Sequence, residues 1–309
     1  MLPTRSRSRW QLRTRSLDCT RTQVMGIVNV TPDSFSDGGR FLNAEAAIAH
    51  ALNLLKEGAD LLDIGAESTR PGSQAGGASD SDTAPLVSAD EEQARLLPVI
   101  EGILRERPNA ILSVDTYKAA TAHAACRAGA EIVNDVSGFF WDEGTAEVCA
   151  KDQCGLVLMH TRGRPEEWSE QEQLPTDLLL ESVRTGLEAS LARAEAVGID
   201  PARIVLDPGY GFGKRRDENY ALLARQRDLL SLRRPLLVGL SRKSFLWHTL
   251  APLHGGHDAP VAARESASIS ALVAAILNGA SIVRVHNVRP AVEAARIADA
   301  ILKAAAFGE

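Results

Sequence analysis

Polar side chains recur where the apolar runs of this sequence end. Those at or just after such ends are Asn29, Asp63, Asp115, Asn134, His160, Asp207, Lys243, Arg284 and His286. The acids and the Asn134 amide suit a ligand edge rich in N–H donors, such as an amino-pyrimidinone ring, and Lys243 could meet a ring carbonyl. Arg70, Arg284 and His286 suit phosphate oxygens. The set indicates a site for a heterocycle that carries a phosphate or diphosphate.

Eight apolar runs, each followed by a helical pattern, must position these side chains. The runs cover 25–30, 60–65, 111–115, 131–135, 155–160, 204–207, 236–240 and 281–286. The helical patterns cover 44–57, about 89–107, a stretch ending at Gly129, 143–152, 176–197, about 218–231, 261–277 and about 291–306. Nearly continuous apolar strands are buried on both faces, as in a parallel sheet flanked by helices. A doubly wound sheet shares this feature, but eight units favour a closed α/β (β/α)8 TIM barrel, whose strand ends meet on one face.

The remaining segments predict additions to that barrel. Residues 1–21 carry six arginines against one acid, and the partial alternation from Trp10 to Val24 predicts an N-terminal β-hairpin covering the bottom of the barrel. The sequence therefore predicts a basic extension or hairpin over 1–21 and a single (β/α)8 barrel domain over 22–309. Asn43 is the expected cap of the first helix. The Gly/Ser/Ala/Asp-rich stretch to about Ser88 predicts a flexible loop.

Composition excludes several classes of partner. The net charge of -6 gives no reason to expect nucleic acid, and no apolar run is long enough to span a membrane. Four cysteines without a CxxC pair are expected to be structural thiols in a reducing cytoplasm. The segment 247–260 holds three histidines, which a metal could use, but we expect a solvated loop there.

Seven motifs fall in order on different strands and their loops. They are NVTPDSFSDGG at 29–39, ESTRPG at 67–72, SVDTYK at 113–118, NDVSG at 134–138, DPGYGFGK at 207–214, GLSRKSF at 239–245 and RVH at 284–286. Together they closely resemble the dihydropteroate synthase family, from about Met25 to the C-terminus. The resemblance implies a TIM-barrel transferase of folate biosynthesis. It would join 6-hydroxymethyl-7,8-dihydropterin diphosphate to 4-aminobenzoate with Mg²⁺ and release diphosphate. It also implies that the enzyme is a homodimer and a target of sulfonamides.

The resemblance assigns roles to matching positions. The pterin would be held by Asp115, Asn134, Met159, Asp207, Phe212 and Lys243. The diphosphate would be bound by Asn29, Arg70, Arg284 and His286, with Asn29 also reaching the metal. The 4-aminobenzoate site would be shaped by Phe35, Thr69, Pro71 and Ser244. Asp33 would approach the reacting methylene, and with Lys243 and Arg70 it completes the expected catalytic set.

Two positions depart from the family pattern, and other functions compete with the implied one. Asn287 stands where an Asp usually follows the RVH motif, and Thr161 replaces a frequent Met. The alternatives are a pterin-binding methyltransferase domain, a non-catalytic pterin-binding paralogue and a sugar-phosphate barrel enzyme. Asp33, Arg70 and Lys243 are all present, which argues against a non-catalytic paralogue.

Overall fold

The fold is seen in a computed structural model that describes residues 9–30, 40–67, 87–257 and 259–306. The strands are β1 (Arg9–Gln11), β2 (Ser16–Asp18), β3 (Gln23–Asn29), β4 (Leu61–Gly65), β5 (Leu112–Asp115), β6 (Ile132–Asp135), β7 (Gly155–Met159), β8 (Ile204–Asp207), β9 (Leu236–Val238) and β10 (Ala280–Val285). The helices are α1 (Arg40–Glu57), α2 (Ala89–Glu106), α3 (Ala119–Ala128), α4 (Thr145–Asp152), α5 (Thr176–Ala196), α6 (Arg216–Arg225), α7 (Ser244–Leu250), α8 (Val261–Leu277) and α9 (Val288–Ala306).

Strands β3 to β10 form a closed parallel barrel in chain order, with β10 pairing back onto β3. Helices lie between successive strands, so the predicted (β/α)8 barrel is confirmed. The strands are almost wholly buried, because the helices cover their outer face and side chains fill the interior.

Side chains alternate along every barrel strand between the interior and the helix layer. On β7, Leu156 and Leu158 join the large cluster that packs against the helices, whereas Val157 lies in the barrel interior. The same alternation sends Leu62 and Ile64 of β4 outward. A residue's parity on its strand therefore decides whether it can reach the site at the barrel mouth.

The predicted N-terminal hairpin is present and closes the bottom of the barrel. β1 and β2 pair in antiparallel register, with Trp10 opposite Leu17. Trp10 is fully buried, and its indole Nε1 donates to the carbonyl of Arg203 at 2.7 Å. The interior cluster beneath the mouth is apolar and consists of Trp10, Leu12, Cys19, Met25, Leu61, Ile132, Val157, Val205, Leu237 and Ile282. We call this cluster the base plug.

Three local expectations were wrong. Helix α1 begins at Arg40, so Asn43 lies inside it and is not its cap. The helix expected over 218–231 divides at Arg225, and a 3-10 turn follows over Gln226–Leu232. Gln226 is buried, and its amide donates to the carbonyls of Ala275 in α8 and of Asn278 just after α8. The loop expected over 247–260 contains the end of α7 and a 3-10 turn over Ala251–His254.

Other expectations concern membranes, thiols and metals. Within the described ranges, no helix combines the length and apolarity that crossing a membrane requires. All four cysteines lie in the described ranges, where they are buried and take part in no disulfide. The three histidines at 248, 254 and 257 belong to the described chain, in which no group of three His, Cys, Asp or Glu side chains could hold a metal ion.

Candidate active site

The floor of the barrel mouth carries a ring of acids and one amide that point inward. Asp63 and Asp115 lie on β4 and β5, Asn134 on β6 and Asp207 on β8. On β4, β6 and β8 the mouth residue follows a base-plug residue by two positions; these plug residues are Leu61, Ile132 and Val205. Residues two apart on a strand point the same way, so the mouth side chains lie directly above the apolar interior. Neighbouring strands align them, since Asp115 pairs with Asn134 and Met159 with Asp207.

Arg284 of β10 lies between two of these acids. Its Nε donates to Asp63 Oδ2 at 2.6 Å, and one terminal nitrogen donates to Asp115 Oδ2 at 2.7 Å. Asn134 Nδ2 donates to the same Asp63 oxygen at 3.0 Å. The sequence placed Arg284 with the phosphate-binding groups and Asp115 with the ring-binding ones, whereas the structure joins them directly. One guanidinium thus serves two carboxylates in a buried site.

This pairing leaves the floor short of positive charge. Burial raises the pKa of Asp115 to about 7, and the nearby acids Asp63, Glu92 and Asp135 add to the effect while Arg284 opposes it. Asp63 is fully buried, and its Oδ1 has no hydrogen-bond partner among the described residues. A buried acceptor of this kind is costly unless a donor reaches it, so the floor is suited to a ligand with N–H groups.

Asp207 and Lys243 form the opposite side of the floor. Asp207 is 7% exposed, and its Oδ1 accepts from the backbone N–H of Gly209 at 2.7 Å. Burial raises its pKa to about 6, against the effects of that hydrogen bond and of Lys243, Lys214 and Arg284. The Lys243 ammonium lies 4.0 Å from the centroid of the Phe212 ring. Burial and Arg284 lower the pKa of Lys243 to about 8.

An apolar wall stands beside the charged floor. Tyr117, Val136 and Met159 are buried together, and Trp141 and Phe212 pack against them. The rings of Tyr117 and Trp141 meet edge-to-face with centroids 5.3 Å apart. Met159 and Phe212 were expected here, but the sequence reading missed Tyr117 and Trp141. The signal for Tyr117 was its position two residues after the strand that ends at Asp115.

The rim of the mouth carries the groups expected to meet phosphate and metal. His286 follows β10, and its Nδ1 lies 3.0 Å from Ser241 Oγ. Asn29 is exposed at the end of β3, and Ser244 is exposed at the start of α7. The predicted residues Asp33, Phe35, Thr69, Arg70 and Pro71 lie outside the described residues.

His160 was wrongly expected in the ring of mouth residues. It has the parity of Leu156 and Leu158, which face the helix layer. Its ring packs against Gly186 of α5, where an added Cβ would lie 2.4 Å from the imidazole Cδ2. The apolar run before His160 resembles the others, but its inward residue is Met159.

The two departures from the family pattern have local partners. Asn287 Oδ1 accepts from the Arg242 guanidinium at 3.0 Å, and its Nδ2 donates to Glu265. Thr161 Oγ1 donates to the carbonyl of Gly163 at 2.8 Å and lies 3.2 Å from Trp168 Nε1. Neither position lies on the charged floor, so these changes alter contacts with neighbouring loop and helix residues.

The barrel carries acids, cations and an aromatic wall at the carboxyl ends of its parallel strands. This arrangement defines a TIM-barrel enzyme that binds a flat ligand rich in N–H donors. The family model described as "Pterin binding enzyme" matches residues 25–286. Dihydropteroate synthase from Escherichia coli (strain K12) is 39% identical over 289 residues, covering 94% of this chain and 95% of that protein. The chain therefore belongs to the pterin-binding enzymes and, within them, to the dihydropteroate synthase family.

Two further similarities show how much of a relative's length the chain covers. The mitochondrial folate synthesis bifunctional protein of Pisum sativum is 39% identical over 295 residues, which cover 92% of this chain and 54% of that protein. The chain thus spans about half the length of this relative. A solved structure, Xanthomonas albilineans dihydropteroate synthase with 4-aminobenzoic acid, has a TM-score of 0.82 and 38% identity, covering 96% of this chain and 98% of the other.

Proposed function

We propose that this chain catalyses the dihydropteroate synthase reaction. It joins 6-hydroxymethyl-7,8-dihydropterin diphosphate to 4-aminobenzoate, giving 7,8-dihydropteroate and diphosphate. The observation that carries the proposal is the inward-facing acid ring of the floor, in which a buried Asp63 oxygen has no partner among the described residues and Asp207 lies beside Lys243. A pterin edge offers adjacent N–H donors, which charge-assisted hydrogen bonds to such carboxylates would hold strongly.

The pterin ring is bound between floor and wall. Asp207 and Asp115 accept from ring N–H groups, Asn134 contributes its amide, and Lys243 donates to a ring carbonyl or nitrogen. Met159 and Phe212 contact the apolar face of the ring. This placement directs the methylene and its diphosphate toward the rim, where His286 lies and toward which Arg284 is partly exposed.

The reaction breaks the bond between the methylene carbon and the diphosphate oxygen, and the electron pair leaves with diphosphate. Arg284, His286 and Arg70 stabilise the charge that grows on the leaving group. The methylene cation is delocalised into the pterin, and the carboxylate of Asp33 stabilises it further. The aniline nitrogen of 4-aminobenzoate, seated by Phe35, Thr69, Pro71 and Ser244, then attacks the carbon and loses a proton. No nucleophilic side chain is needed.

A Mg²⁺ ion fits this arrangement when it arrives with the diphosphate. Among the described residues, no cluster of three His, Cys, Asp or Glu side chains could hold the metal alone. The exposed amide oxygen of Asn29 at the end of β3 is the ligand that we propose, with phosphate oxygens completing the shell. Bound there, Mg²⁺ would supply positive charge that stabilises a diphosphate leaving group.

We also propose that the protein works as a cytoplasmic homodimer. The four buried cysteines, which form no disulfide, suit a reducing compartment. Ile297 and Ile301 are exposed one turn apart on α9, at 64% and 43%, and a second copy could cover this apolar stripe. Light scattering of the purified protein is expected to give twice the mass of the chain, and a monomer at working concentration would contradict the dimer.

The direct test is diphosphate release from the pterin diphosphate. We expect release that requires added 4-aminobenzoate, is stimulated by Mg²⁺ and stops on addition of a chelator. Tight pterin binding without release would instead indicate a non-catalytic paralogue. Methyl transfer from a methylated pterin to a corrinoid would indicate the methyltransferase alternative.

A further inference from the structure

Lys214, the last residue of the DPGYGFGK motif, is buried directly behind the pterin floor. The residue is only 5% exposed and precedes helix α6. Its ammonium donates to three backbone carbonyls, those of Gly209 at 2.8 Å, His160 at 3.2 Å and Phe212 at 3.3 Å. Three donated hydrogen bonds require the protonated form, since a neutral amine has two N–H groups. In its protonated form the side chain therefore holds a positive charge against neutral acceptors.

These three carbonyls belong to the backbone that shapes the floor. The peptide chain at Gly209 accepts from Lys214 through its carbonyl and donates through its N–H to Asp207 Oδ1. Gly209 has φ +70°, and an added Cβ would lie 1.9 Å from the carbonyl oxygen of His160, so the turn is tightly packed against the end of β7. Lys214 joins the two segments. Phe212, whose carbonyl it also binds, presents its ring to Lys243.

The charge of Lys214 also acts on Asp207. Within the described chain, the charged groups that face Asp207 are Lys214 from its own turn, Lys243 from the loop before α7 and Arg284 from β10, and the Tyr210 phenol lies close by. Lys214 itself faces Asp207, Lys243, Arg162 and Glu218. Burial lowers the pKa of Lys214 to about 7, which Asp207 and Glu218 oppose.

We infer that Lys214 is a positioning residue for pterin recognition. It fixes the 207–213 turn so that Asp207 and Phe212 face the ligand, and its charge favours the ionised form of Asp207 that accepts pterin N–H groups. This inference rests on the proposed function. The competing explanation is that Lys214 only braces the loop, in which case its loss would lower stability and weaken binding equally at every pH.

The test is the pH dependence of pterin binding in Lys214→Met, which keeps the chain length and removes the charge and the donors. Wild-type affinity for 6-hydroxymethylpterin should rise between pH 5 and 7 as Asp207 ionises, and then level off. Loss of a nearby cation should move this midpoint upward by about one pH unit. Binding by Lys214→Met should then be weaker than wild type at every pH, because the turn loses three donated hydrogen bonds, and the deficit should be about tenfold larger at pH 5 than at pH 8.

Two companion variants separate charge from packing. Lys214→Arg keeps the charge and should keep the wild-type midpoint. Tyr210→Phe lies in the same turn and removes the buried hydrogen bond from its hydroxyl to Gln226 Oε1 at 2.9 Å, so it should lower Tm without moving the midpoint. If Lys214→Met does not fold, Lys214→Gln, which removes the charge but keeps two N–H donors, makes the same test.

The outcomes are distinct. A neutral Lys214 variant that folds and binds with the wild-type midpoint, losing only Tm, would overturn the positioning role. Failure of Lys214→Gln and Lys214→Met to fold, with Lys214→Arg shifted as well, would also overturn it in favour of a bracing role. Wild-type protein that binds no pterin at any pH would contradict the proposed function itself.

Discussion

The two ends of the barrel are built from the same strands but differ in what points inward. At the bottom, Met25, Leu61 and Val205 join Trp10 in an apolar plug. Two residues further along, the same strands present Asp63 and Asp207 at the mouth. Apolar burial stabilises the fold, whereas each buried carboxylate costs free energy until a partner reaches it. Stability is therefore concentrated at the base and ligand binding at the mouth.

The largest expected effect separates the base from the mouth. Trp10→Ala removes a fully buried side chain of the base plug and should lower the free energy of unfolding by roughly 3–5 kcal/mol. Because Trp10 lies at the opposite end from the site, kcat of the folded protein should not change. Thermal melts and assays well below Tm check this, with Leu253→Ala, at 78% exposure, as the control that changes neither quantity. A parallel loss of kcat would show that the two ends are coupled.

The next effect lies at the mouth. Asp207→Asn places an amide donor against a pterin donor, so pterin binding should weaken by roughly 2–5 kcal/mol. A neutral amide is less costly to bury than a carboxylate, so Tm should stay the same or rise. The KM for the pterin diphosphate and a thermal melt measure the two quantities. Unchanged KM in a destabilised variant would move Asp207 from the site to the scaffold.

A smaller effect is expected from pH, because the stability contribution of Asp207 should fall with rising pH while pterin affinity rises. The pKa of Asp207 is raised to about 6 in the folded protein, from 3.8 for an unperturbed Asp side chain. Its contribution to stability is therefore full below about pH 3.8 and is lost as pH rises through about 6. The Tm of Asp207→Asn minus that of wild type should therefore increase from pH 4 to 7. Wild-type pterin affinity should increase over the same range. A Tm difference that shrinks with pH would contradict the buried-acid account.

The smallest effect is expected away from both ends. Asn287→Asp restores the usual acid of the family but places it against Glu265, while it gains an ion pair with the exposed Arg242. Repulsion from Glu265 and attraction to Arg242 should nearly cancel, so the free energy of unfolding should change by about 1 kcal/mol or less. Turnover should stay near wild type. Chemical denaturation detects a change of this size, and a large fall in turnover would place Asn287 in the site.

The periodic parts of the sequence were sufficient to predict the barrel. Apolar runs gave the eight strands, and Gly129, with φ +112°, ends α3 as expected. The bounds of α8 were predicted as observed, since its apolar pattern is uninterrupted up to Leu277. The division near Arg225 was not predictable, because it depends on the buried contacts that Gln226 makes with a distant helix.

The site was predictable in composition but not in its pairing. Motifs identified Asp115, Asp207 and Lys243, yet a spacing rule could not show that Arg284 would join Asp63 to Asp115 across the barrel. His160 was misplaced because the apolar run does not show which parity faces the mouth, and His160 continues the helix-facing parity of Leu156 and Leu158. Lys214 was missed because a lysine after a glycine turn has the same sequence signal whether it is exposed or buried.

The most direct test of the account compares two buried acids that face opposite ways. Asp207 points into the mouth, whereas Asp135 ends β6 with the helix-facing parity and accepts hydrogen bonds from Ser137 and Phe139. Burial raises the pKa of each to about 6. Pterin should be titrated calorimetrically into Asp207→Asn and Asp135→Asn at a temperature where both are folded. We predict that Asp207→Asn loses pterin affinity without a fall in Tm, and that Asp135→Asn loses Tm and keeps its affinity. Equal loss of affinity in both variants would contradict the claim that inward-facing acids at the mouth bind the pterin.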